Sequence, residues 1–135
     1  MKPKILLRMA SSLLLLHTMG HTIGALTWKQ APNARVAAVI SGMQNEHFDF
    51  MGRSATLGNF FGGYGLINIG VLLLLTALLW LLSTEPNLKF VLLIGLFLLF
   101  MGTIELIYFF PFAAAISLLA GIFTLLAYLS WKPSN

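Results

Sequence analysis

Apolar residues gather in four long blocks, residues 5–27, 58–82, 88–110 and 112–131, parted by short polar breaks. Each block meets the roughly 20 residues that a helix needs to cross the hydrocarbon core. The pattern predicts an all-α integral membrane protein: one domain, a four-transmembrane-helix antiparallel bundle, with one long loop between helices 1 and 2.

Inside the blocks, polar and small residues recur at helical spacing. In the first, His17, Gly20, His21, Gly24 and Trp28 form a stripe at steps of three and four, which predicts a packing face. Leu14, Leu15, Met19, Ile23 and Leu26 lie opposite and read as lipid-facing. The second block opens on Gly58, Gly62, Gly63, Gly65 and Gly70; its G-x-x-x-G permits close backbone approach, with Asn59, Tyr64 and Asn68 on or near the same side. Gly95, Gly102 and Glu105 share roughly one stripe of the third, and Ser117, Gly121, Thr124 and Tyr128 one stripe of the fourth.

The breaks carry their own signals. Ser83 to Asn87 contains Pro86 and stops a helix, while Tyr108 to Phe112 leaves almost no loop and predicts a helical hairpin. Residues 28–57 are the long polar stretch. There Pro32 and Asn33 mark a helix start, and Val36, Val39, Ile40 and Met43 predict a short amphipathic helix at the membrane surface. Phe48, Phe50 and Met51 would dip this segment further into the interface.

Composition agrees: 59% of residues are hydrophobic and 9% charged, against roughly 25% charged in soluble domains. The absence of cysteine excludes disulfides, thiolate nucleophiles and thiolate metal sites. The net charge of +4 is scattered without a basic run, so a nucleic-acid partner is not expected. Lys2, Lys4, Arg8, Lys89 and Lys132 fall on one side of the expected bundle, and Lys29, Arg35 and Arg53 on the other. The positive-inside rule then puts both termini in the cytoplasm, in a multi-pass protein of a bacterial-type plasma membrane. The start also fits a signal peptide, with Ile5 to Leu16 as its apolar region; its removal would discard both histidines of the first block. No clean small-x-small cleavage site follows Leu16.

Candidate chemistry rests on ionisable groups inside the apolar blocks, which are costly in lipid and point to function by default. At about 1.5 Å of rise per residue, His21 lies about 9 Å and His17 about 15 Å from the outer end of the first span, and Glu105 about 8 Å from the same side. Depth therefore predicts that His21 meets Glu105, with His17 at the floor of a pocket open toward the long loop. Tyr64, Asn68 and Ser117 fall in the same half. Asn59, Tyr108, His47 and Arg53 complete a candidate ligand-binding set, with Glu46, His47 and Arg53 as a lid.

A His–Glu contact can share one proton, the state needed for general acid–base work. The expected activity is isomerisation, cyclisation or hydrolysis of a lipophilic small molecule, with His21, Glu105, His17 and Tyr64 as catalytic residues. A second reading is a divalent metal on His17, His21 and Glu105, since imidazoles at i and i+4 can share an ion. His17 to His21 reads His-Thr-Met-Gly-His, without the glutamate of a zinc-protease helix, and haem is disfavoured because the later spans lack histidine. A third is transport or a partner-subunit role, with a homodimer packed on the glycine-rich face. The plainest alternative is polar glue that fixes helix register.

Overall fold

The structure, a computed structural model, describes residues 2–131. Lys132, part of the charge count above, lies outside them. Five helices and one small hairpin follow in the order α1 (Pro3–Thr27), α2 (Ala34–Asn45), β1 (His47–Phe50), β2 (Arg53–Thr56), α3 (Leu57–Leu82), α4 (Leu88–Tyr108) and α5 (Pro111–Ser130). The long helices match the apolar blocks to within a few residues. Three of them, α3, α4 and α5, are long and apolar enough to cross a membrane. The first block also folds as one long helix, α1, but Lys4, Arg8 and two histidines make it less apolar than the others.

The chain divides into two compact units, one of residues 1–18 and 71–135, the other of Met19–Gly70. In the first, Leu7, Ala10 and Leu14 of α1, Leu72 and Leu79 of α3, Val91 and Leu98 of α4 and Ala120 and Ala127 of α5 form one wholly buried core. Leu14, expected on the lipid side, belongs to this core. Large apolar side chains elsewhere face outward: Leu93 is 63% exposed, Phe100 62% and Leu129 75%. Exposure on that scale over helices of this length suits lipid and would be a liability in water.

Glycine sets the contact between α4 and α5. A methyl group on Gly95 would come within 2.6 Å of Leu125, one on Gly102 within 2.7 Å of Leu118, and one on Gly121 within 2.9 Å of Leu99. Leucines of each helix thus seat over glycines of the other, seven residues apart on both sides. The short turn forces the antiparallel order, and Pro111 at the start of α5 fits because a helix's first turn needs no amide donor there. At the opposite end of the unit, Arg8 lies 4.8 Å from the ring centroid of Trp80, and its Nε lies 3.5 Å from Ser83 Oγ. That contact keeps the charge beside an amphipathic ring and a hydroxyl.

In the second unit, α2 starts where Asn33 caps it: Asn33 Oδ1 accepts from the Val36 amide at 3.0 Å. No residue of α2 is buried, in keeping with a surface helix. The stretch after it, for which the sequence suggested only a dip into the interface, is an antiparallel hairpin, with Phe50 opposite Arg53 and Met51 and Gly52 at the turn. Both turn residues have positive φ, 54° and 79°, as a two-residue turn matched to strand twist requires. Gly58 has a defined use, since a side chain there would meet the Met43 carbonyl at 3.0 Å. Its close neighbour is therefore the end of α2. Gly20 and Gly24 of α1 and Gly62 of α3 face open space, so the expected stripe of α1 makes its contacts through His17 and His21 and not through these glycines.

Candidate functional site

Within the first unit, one imidazole gathers the polar groups of three helices. His17 Nδ1 lies 3.1 Å from Ser117 Oγ of α5, and Nε2 lies 3.5 Å from Glu105 Oε1 of α4. Ser117 is fully buried, and His17 and Glu105 are 6% and 8% exposed. The local sequence explains the convergence. Gly102 lies one turn before Glu105, and Leu118 seats over it, which brings α5 close and holds Ser117 near the carboxylate.

The histidine that meets Glu105 is therefore His17 and not His21. Both occupy one helical face, so spacing alone does not separate them; the depth estimate assumed that the spans end at one level, and one turn of about 5.4 Å decides the pairing. His21 belongs to the second unit. Its Nε2 lies 3.1 Å from the Gly65 carbonyl, with the Asn68 amide nitrogen at 3.4 Å. A carbonyl only accepts, so Nε2 donates to it. A side chain on Gly65 would press on Ala25 at 3.3 Å, which is how α1 and α3 come close enough for this bond.

The metal set of His17, His21 and Glu105 does not assemble: among the described residues no three His, Asp or Glu side chains are grouped so as to hold an ion. His21 is engaged with α3, and Glu46, His47 and Asp49 are spread along the end of α2 and β1 instead of converging. His47 Nδ1 lies 2.9 Å from Ser54 Oγ across the hairpin. Tyr108, at the end of α4, is 74% exposed.

Three other candidates meet elsewhere in the second unit. Arg53, Asn59 and Tyr64 line a groove of about 740 Å³ between the hairpin and the start of α3, together with Phe50, Phe60 and Ile67. Phe60 anchors its aromatic wall, with Phe50 edge-on at 5.2 Å and Tyr64 stacked at 6.4 Å between centroids. The hairpin escaped the sequence reading, although the alternation His47-Phe48-Asp49-Phe50 followed by Gly52 is a strand-and-turn signal. Ser117 stood among the candidates without its role as the partner of His17.

No protein-family model matches this chain, and no curated protein or solved structure is similar to it.

Proposed function

We propose that this chain is a four-span membrane protein that performs acid–base chemistry on a lipophilic small molecule, with His17 and Glu105 as the proton-sharing pair. The observation that carries the reading is the imidazole held between a hydroxyl and a carboxyl. With the carboxylate ionised and the imidazole neutral, Nε2–H faces Glu105 and Nδ1 accepts from Ser117. With the imidazole protonated, both nitrogens donate, and the Ser117 hydroxyl turns to accept. A hydroxyl is the small group able to serve both states, and an acid–base pair needs both of them accessible. Ser117 is wholly enclosed, so its part is to orient His17 and not to attack a substrate.

The supporting context is the bilayer. α1 supplies the fourth crossing, and the basic residues favour cytoplasmic termini with residues 28–57 outside a bacterial-type plasma membrane. The complete burial of Ser117 favours one other reading, a polar clamp that only fixes α1 against α4 and α5.

Untargeted profiling of a membrane lipid extract incubated with protein in nanodiscs separates the two. Wild type should deplete at least one lipophilic species that Glu105→Gln leaves untouched, with both proteins equally folded. Identical profiles would leave the clamp as the whole account.

A further inference from the structure

The groove beside the hairpin stands apart from the His17 network in sequence and in chemistry. Its walls are aromatic and aliphatic, from Phe50, Phe60, Tyr64 and Ile67, and its polar groups include Arg53 and Asn59. Its volume of about 740 Å³ is room enough for a small molecule, held in an open groove and not in an enclosed cavity. The combination is asymmetric: a cation comes from the hairpin, and the apolar wall runs along the start of a helix apolar enough to cross a membrane. Phe50 and Arg53 are directly paired across the strands, so both side chains start from one short scaffold.

We infer that this groove binds a single-chain amphiphile with an anionic head, its carboxylate or phosphate at Arg53 and its alkyl chain along Phe60, Tyr64 and Ile67. Guanidinium suits both heads, since its planar fork matches the oxygens of either. The aromatic wall provides a rigid apolar surface at low entropic cost, and Asn59 adds a donor for a second head oxygen. The lining holds one cation and no carboxylate, which matches a single anionic head, and a groove of about 740 Å³ suits one alkyl chain better than the two of a bilayer lipid. The groove involves none of His17, Glu105 and Ser117, so its occupancy does not depend on the acid–base reading.

Gly63 makes the test clean. It lines the groove, and a Cβ there meets nothing within 4 Å, so the first atom of a larger side chain enters without displacing backbone. Full-length protein in phosphatidylcholine nanodiscs is titrated with dodecanoate, dodecyl phosphate and neutral dodecanol, and binding is read by competition with a fluorescent fatty acid. Both anions should bind at least tenfold more tightly than dodecanol. Arg53→Gln should lose about tenfold for the anions and less than twofold for dodecanol. Gly63→Leu, folded to the same melting temperature or higher, should bind none of them.

Equal affinity for dodecanol, or no effect of Arg53→Gln, would overturn the anionic head. Undiminished binding by Gly63→Leu would overturn the groove as the site. If phosphatidylglycerol added to the nanodiscs displaces the probe at low mole fraction from wild type, a two-chain bilayer lipid is the occupant and the single-chain inference fails.

Discussion

Replacing both His17 and Glu105 by methionine should harm the fold less than the two single replacements would together. Two unit charges 3.5 Å apart attract by roughly 5 kcal/mol at an effective dielectric of about 20. Desolvation of both groups offsets most of this, so the net worth of the pair is far smaller. Measured hydrogen bonds between membrane helices average about 0.6 kcal/mol and reach about 1.7. Glu105→Met leaves an imidazole nitrogen facing a thioether, at a cost of about 1–2 kcal/mol toward the upper part of that range. His17→Met should cost about as much, because it takes away the partner of Glu105 and of Ser117 at once. The double variant has no ionisable group left to satisfy and should lie about 1 kcal/mol below wild type, a favourable coupling of about 1–3 kcal/mol.

Reversible unfolding in a bilayer, read by steric trapping of the four proteins of the cycle, gives this coupling directly. Distant, independent sites add to within about 0.5 kcal/mol. A coupling no larger than that would mean that the two groups are neighbours without being an energetic unit, and the proton-sharing argument would lose its physical basis.

Two further outcomes follow from backbone geometry. Gly102→Ala should destabilise by about 1–2 kcal/mol, because overpacking costs about 1–3 and the gain in helix propensity returns at most about 1; Gly62→Ala, facing open space, should be neutral or stabilising in the same unfolding assay. Gly52→Ala places a side chain at φ 79° and should weaken the hairpin by about 1–2 kcal/mol, while Met51→Asn should strengthen it; hydrogen exchange at the Phe48 to Thr56 amides reads both.

The long helices were legible because block length, the helix stop at Pro86 and the tight turn at Pro111 each mark a boundary without reference to anything distant. The cap at Asn33 was legible for the same reason. Face assignments were less so: Gly20, Gly24 and Gly95 are alike in sequence, yet only Gly95 seats a leucine, since close approach depends on a side chain from another helix. The partner of Glu105 was beyond reach by one turn, because His17 and His21 share a face and only the axial register of α1 distinguishes them. The first strand of the hairpin has a readable alternation, but all four of its residues are exposed, so no buried face reinforces the pattern.

Whether the His17 network is more than glue turns on what the rest of the first unit already secures. The register of α4 against α5 is set three times over by glycine under leucine, so Glu105 and Ser117 are not needed to align those helices. What remains to be tied is α1, and the same unit shows how little that takes. Ser11 Oγ donates to the Thr76 carbonyl at 2.8 Å, joining α1 to α3 through one neutral bond with no ionisable group. A serine at position 17 could tie α1 to α5 in the same way. The chain instead places an imidazole and a carboxylic acid there, groups that are costly in lipid and differ from a hydroxyl chiefly in their ability to exchange a proton. The excess over what alignment requires is a pair of groups able to exchange a proton where three helices meet, and that excess is what supports the proposed acid–base role.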